Sequence, residues 1–421
     1  MQGETELKNQ FARELMEWSR SGKLPKSADQ DVRCFLELQQ ERIRQRGLKM
    51  ELELEAPKEE ESVSGGRRTR TSKRSRKYES FINFTNCTRK LRFYRDGKKV
   101  FSGKWPETLY VTTTYLKEKE MTGAEKYCCP SCGAISTVRE LQTGCPYCQT
   151  HFVMSELFPK VTDFYYLHEL TDRANVLWNV KTITTVFALI GAIWGLVQIA
   201  EVSLFERIIT AIIGGAMCAL FGYMLCSVSL MVGLFKEAGK SVAPLVHQAE
   251  TKKKIIALLS GFDPSFSWDY FVNQLISTTK AVLFAQDRSN LVMYEGADPH
   301  PELDTIIESA YEGDIRLVNY RVQDGYCWIT FIIRLLDIHD NGQRIFQRHD
   351  RFSVTIVKNV MQMEEVGFSI RRAECRSCGG SFDATRVRVC PFCGKPYDMK
   401  DDGWVITDIY NIRDKRKHKT R

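Results

Sequence analysis

The sequence predicts a multidomain membrane protein: an α-helical transmembrane hairpin, two four-cysteine zinc ribbons, and a C-terminal α+β cone domain built on a curved antiparallel sheet. Three observations carry this expectation. Two long stretches near the middle of the chain hold no charge, eight of the 14 cysteines fall into C-x-x-C pairs, and the last third changes from a helical to a two-residue apolar period. At 421 residues the chain has room for two or three cores.

The amino-terminal residues 1–50 read as an amphipathic helical arm. Leu7, Phe11, Leu15 and Trp18 recur at helical spacing, as do Val32, Phe35, Leu36 and Ile43. Met1–Lys26 has no apolar core segment and no small-residue cleavage site, so it reads as no secretory signal. Residues 51–79 form a charged linker of disordered composition, acidic through Glu51–Glu61 and basic through Arg67–Lys77. The basic run suits anionic lipid; with no aromatic side chain interleaved in it, nucleic acid is not favoured. The formal charge of +8 agrees with work beside an anionic surface without choosing among such surfaces.

Residues 80–165 read as a small β unit, opened by a hairpin about Asp96-Gly97, the dipeptide a type I′ turn requires. This unit contains the first cysteine set, Cys129, Cys132, Cys145 and Cys148, whose pairs are twelve residues apart. Cys375, Cys378, Cys390 and Cys393 repeat the pattern with a gap of eleven. Four thiolates at this spacing close a tetrahedron about one ion, predicting two structural zinc ions with no open coordination position. Redox C-x-x-C chemistry uses one pair in a βαβ context that is missing here. Cys128 and His151 lie close enough in sequence to replace a neighbouring ligand. Cys34, Cys87, Cys218, Cys226 and Cys327 read as packing residues.

Residues 176–236 carry the expected hairpin. Thr182–Ala200 and Ile208–Phe235 are uncharged and long enough to cross a bilayer as helices. Gly191 and Gly195, and Ala211, Gly215 and Ala219, place small residues on one face of each. Arg173, Lys181, Lys236, Lys240 and Lys252–Lys254 flank the pair, against Glu201 and Glu206 in the connector. The positive-inside rule then puts both termini in the cytoplasm of a multi-pass cell-membrane protein, and membrane lipids among its partners.

In the last third, Phe262–Ala285 has a helical pattern with Asp269 near its start, and Leu303–Ala310 reads as a shorter helix. Strands follow at Ile315–Val322, Cys327–Ile338 and Arg344–Val357, joined at Asp324-Gly325 and Asn341-Gly342, with a final strand at Trp404–Tyr410. Residues 262–413 resemble the Tim-forty-four-like domain family of nuclear-transport-factor-2-like cone folds. The resemblance lies in FSWDYFVNQLISTTKAVLFAQD, YCWITFIIRLLDIHDNG, FQRHDRFSVTIVKN and DDGWVITDI. It implies a membrane-associated scaffold, with the second ribbon inserted at 373–398.

Cone folds carry an apolar pocket, and His339, Asp340, His349 and Asp350 are the acid–base candidates there. Asp340 falls in a turn and His349-Asp350 opens a polar strand, so neither pair predicts a perturbed buried group. No nucleophile elbow, Walker loop, dinucleotide fingerprint or HExxH signature is present. The sequence thus predicts a non-enzymatic scaffold or binding protein with a protein or lipid partner, possible self-association, and a membrane-tethered small-ligand sensor as the alternative.

Overall fold

The computed structural model of the protein describes residues 2–55, 71–74, 78–116, 123–124, 126–168, 248–297, 300–362 and 372–413, with scattered helical positions between 184 and 224. It divides into two units, Met1–His168 with His247–Arg421, and Glu169–Val246.

The first unit begins with α1 (Gln2–Ser21) and α2 (Gln30–Gln45). Phe11, Leu15 and Trp18 of α1, and Val32, Leu36 and Ile43 of α2, are buried, so the helical spacing does mark the packed faces. Gly22, in the left-handed region at φ +77°, ends α1, and the Asp29 carboxylate accepts the Asp31 and Val32 N–H groups that α2 leaves unpaired.

The chain continues through β1 (Leu48–Glu55), β2 (Thr71–Arg74), β3 (Tyr78–Arg95) and β4 (Lys98–Leu116). Short elements follow: β5 (Lys126–Cys128), β6 (Ile135–Thr137), α3 (Val138–Thr143) and α4 (Met154–Leu157). Then come β7 (Lys160–His168), α5 (Trp268–Phe284), α6 (Pro301–Asp304), β8 (Ile306–Gln323), β9 (Tyr326–Asp340) and β10 (Ile345–Asn359). The last are β11 (Arg372–Glu374), β12 (Ser381–Asp383) and β13 (Val405–Asn411).

The long strands form one sheet in the order β1-β3-β4-β7-β8-β9-β10-β13, with β2 paired to β3. The pairs are antiparallel except β7–β8, which meet in parallel at Leu167 and Tyr311. The β3–β4 and β8–β9 turns hold Asp96-Gly97 and Asp324-Gly325 at positive φ throughout, as a type I′ turn demands.

This topology corrects the expected fold class. The β unit at 80–165 and the strands of 262–413 share one mixed sheet, because β7 carries the ladder from β4 across to β8. Leu303–Ala310 is not a helix: only α6 is helical there, and β8 starts at Ile306. Ile306 and Ile307 are fully buried, and packing of these β-branched side chains wins over the local pattern.

The main helix, α5, packs across the seam. Its Ser277 hydroxyl donates to Asp163 of β7, and Asn273 donates to Thr112 of β4. Phe271 meets Phe331 with ring centroids 5.8 Å apart, and Phe284 meets Phe35 at 5.5 Å. Each ring so buried contributes about 1.5–3 kcal/mol. The seam also buries Arg89 between Glu107 and Glu308, with the Tyr166 ring 4.4 Å from its guanidinium.

The expected transmembrane hairpin is not supported. A crossing needs one unbroken helix of roughly 20 apolar residues. Among the described residues no helix is long and apolar enough to cross a membrane. Most of 176–236 lies outside the described residues, including Gly191, Gly195, Ala211, Gly215 and Ala219. The described positions of the second unit are helical and leave Leu189, Ile193, Ile212, Met217 and Leu220 exposed. The multi-pass cell-membrane placement with cytoplasmic termini rested on that hairpin and falls with it. Arg67, Arg68, Arg70, Arg76 and Lys77 of the basic run also lie outside the described residues.

Candidate metal centres

The first cysteine set is carried by the β5–β6 hairpin, followed by α3. The Thr137 hydroxyl caps α3 by accepting the Glu140 N–H, and the Glu140 carboxylate accepts the Thr137 N–H in return. Cys375 and Cys378 of the second set sit in the β11–β12 turn, and Cys390 and Cys393 follow β12 in a turn closed by the Val389–Pro396 bridge.

All four knuckles fold alike. The N–H four residues past each leading cysteine donates to that cysteine's carbonyl: Gly133 to Cys129 at 2.8 Å, Gln149 to Cys145 at 2.7 Å, Gly379 to Cys375 at 2.7 Å and Gly394 to Cys390 at 2.9 Å. The leading cysteine's own N–H donates one residue further on, to the carbonyls of Ala134, Thr150, Gly380 and Lys395. The donor at the fourth position needs positive φ, and it has +74°, +60°, +71° and +71° in chain order. Three of these positions are glycine; Gln149 takes the same conformation at a steric cost.

This folding brings the sulfurs together. Cys129 and Cys148 Sγ are 3.6 Å apart, Cys132 and Cys145 3.8 Å, Cys375 and Cys393 3.5 Å, and Cys378 and Cys390 3.6 Å. A tetrahedron of thiolates bound at about 2.3 Å has edges of about 3.8 Å, whereas a disulfide needs about 2.05 Å. The eight cysteines are unbridged, and each set of four has the donors and spacing to hold a metal ion.

The knuckle amides act on sulfur charge. The N–H groups of Cys378 and Ser377 hold the Cys375 thiol down to about 6, and the Thr150 hydroxyl, 3.3 Å from Cys148 Sγ, holds Cys148 to about 6. Burial pushes Cys129 up instead, the environment of a thiol that needs a cation to ionise.

The two hairpins also touch each other. The Lys126 ammonium pairs with Glu374, and the Ile135 N–H donates to Ser381 Oγ at 2.9 Å. Gln30 and Arg33 of α2 donate to the Cys129 and Pro130 carbonyls at 3.3 Å, tying the arm to the first knuckle. On the other side, Arg388 donates to the carbonyls of Ser289, Leu291 and Tyr294, and the Val292 N–H donates to the Ala384 carbonyl at 3.0 Å. Nothing in the spacing announces these contacts, which at the hairpin pair join positions 246 and 248 residues apart.

Cys128 is buried on β5 and, like His151, stands apart from the four-sulfur groups. Cys34, Cys87 and Cys327 are buried, Cys218 is half-buried, and Cys226 lies outside the described residues. Of the acid–base candidates, Asp340 accepts from Arg95 at 2.7 Å and His349 pairs with Glu312. His339 and Asp350 come together 2.8 Å apart in full burial, although the polar stretch around them reads as surface. Alternation could have found them, since Asp350 and Phe352 share a face of β10.

The chain matches no family model, no curated protein and no solved structure, and the Tim-forty-four-like resemblance rests on its quoted segments alone.

Proposed function

We propose that each four-cysteine set holds one Zn²⁺ in a closed structural site, and that the chain is a scaffold which presents the paired ribbons to a protein partner. The observation that carries this reading is the set of four sulfur–sulfur edges of 3.5–3.8 Å, on two hairpins fastened to each other and to one sheet. Four thiolates leave no position for substrate, which argues for support rather than catalysis. The tips of the second knuckles offer aromatic anchors: Tyr147 is 51% exposed and Phe392 64%, beside Val387 and Val389.

The sensor alternative needs a pocket of roughly 300–1,000 Å³. The cavity enclosed by α1, α2 and the sheet, lined by Gln39, Arg89, Lys280 and Glu308 among apolar side chains, has about 10 Å³ of free volume, space for one water. Two hollows do reach that size, about 560 Å³ beside Cys34, Leu38 and Thr385 and about 650 Å³ beside Leu258, Phe262 and Leu317, but both are grooves open to solvent, which favours the scaffold.

Crosslinking of the purified full chain in extract, compared with Tyr147→Ser/Phe392→Ser, tests the reading. Loss of a discrete set of crosslinked proteins in the variant, at unchanged zinc content, supports it. An unchanged set, or none with the wild type, overturns it.

A further inference from the structure

Asp337 and His339 of β9 and Asp350 of β10 each bring one ligand atom within 4.8 Å of the others, and all three side chains are at most 1% exposed. Strand alternation puts them on one face, where Arg348 stands opposite Asp337 and Asp350 opposite Leu335. Ser309 of β8 stands opposite Asp337 on the other side.

The protons in this cluster are short. Thr305 Oγ1 donates to the Glu302 carbonyl at 3.1 Å and lies 2.8 Å from His339 Nδ1. A hydroxyl has one proton, so towards His339 it accepts, and Nδ1 carries the ring hydrogen. In neutral His339 the lone pair is then on Nε2, which faces Asp350 Oδ2 at 2.8 Å. Two acceptors meet there. Arg348 Nε already occupies the Asp350 carboxylate, at 2.7 and 2.8 Å from its oxygens. Neither oxygen of Asp337, nor Ser309 Oγ, makes a hydrogen bond of good geometry, although Ser309 and Asp350 both lie against the Asp337 carboxyl. Burial and the nearby Asp350 charge push the Asp337 carboxyl well above the usual range. Each buried polar group left unpaired costs about 1–3 kcal/mol.

We propose that Asp337, His339 and Asp350 form a third metal site, for a divalent cation of borderline or hard character such as Zn²⁺ or Mn²⁺. Two protons, one on His339 Nε2 and one held by the Asp337 carboxyl towards Asp350, or one dication among the three side chains, would satisfy the cluster. The metal is the alternative proposed here. The 2.8 Å between Nε2 and Oδ2 is close to the roughly 3.0 Å edge of an octahedron with ligands at about 2.1 Å, the geometry that hard divalent ions such as Mn²⁺ take. Thr305 then serves as the acceptor that fixes the ring tautomer, and Ser309 Oγ, opposite Asp337, is placed to add a fourth ligand. One imidazole and two carboxylates select against the soft ions that thiolates prefer.

The test is elemental analysis of the full chain purified from medium containing zinc and manganese, before and after treatment with a thiol-blocking mercurial. The expected result is one ion at each of the three groups, with the ions at the two cysteine sets released and the third retained. Asp337→Asn should hold only the ions that the mercurial releases. If the mercurial empties the wild type, a proton shared between Asp337 and Asp350 fills the cluster and the proposal fails. It fails equally if Asp337→Asn retains the resistant ion. Should that variant not fold, the resistant ion of the wild type and its loss in His339→Gln decide the matter.

Discussion

The first ribbon keeps Cys129 and Cys145 buried over a small core of its own, Tyr127, Val138, Leu141, Leu157 and Phe158, with the Tyr127 and Phe158 ring centroids 4.4 Å apart. The second leaves Cys378 and Cys393 exposed and sends Ala373, Phe382 and Ala384 into the main core of the sheet. The backbone hydrogen bonds of the knuckles are the same in both. What separates them is the apolar cluster each supports. An ion in the first centre holds up a satellite core; an ion in the second holds up part of the body of the protein.

The largest effect that can break this comparison comes from removing one thiolate from each centre. Cys390→Ser should lose one metal ion and lower the main unfolding transition, by about 3 kcal/mol or more. Cys129→Ser should lose one ion as well while leaving that transition in place, because the damage stays in the satellite core. Calorimetry of the two variants side by side checks this; equal shifts would erase the distinction.

A pH series sharpens it. Burial raises the Asp163 carboxyl to about 8, against the hydrogen bond from Ser277 that lowers it. A carboxyl raised in the folded state contributes stability that is full below its ordinary value near 3.8 and is lost as pH climbs towards 8. The main transition should therefore weaken across that window, and Asp163→Asn should abolish this part of the slope. The satellite core, which holds no such group at its centre, should not follow. The readout is the midpoint of denaturant unfolding against pH, followed separately by Tyr127 and by the main sheet.

The smallest expected effect concerns Gln149, the one knuckle residue that takes positive φ without being glycine. Gln149→Gly relieves that conformation and should stabilise the first ribbon by about 0.5–1 kcal/mol, with no change in the second. Metal-release rates into a colorimetric chelator measure it.

The cysteine sets were legible in the sequence because a knuckle is local: four residues and a left-handed turn decide it. The helices about Phe11 and Phe35 and the Asp-Gly hairpins were legible for the same reason. The seam was not. That β7 joins β4 to β8 depends on one parallel contact at Leu167 and Tyr311, and no periodicity encodes it. Nor did the pattern tell that Asp350 is buried, since a charged residue in a polar stretch reads as surface until its partners, His339 and Arg348, arrive from the same sheet. Hydropathy misled over 176–236: an uncharged run satisfies the length criterion, yet among the described residues no helix meets the requirement for a crossing.

X-ray absorption at the zinc edge, on the full chain carrying Asp337→Asn so that only the cysteine sets are loaded, tests the central claim most directly. The account predicts four sulfurs at about 2.3 Å around each zinc and no nitrogen or oxygen in that shell. A shell containing nitrogen or oxygen, or a chain that shows no zinc edge at all, would contradict it.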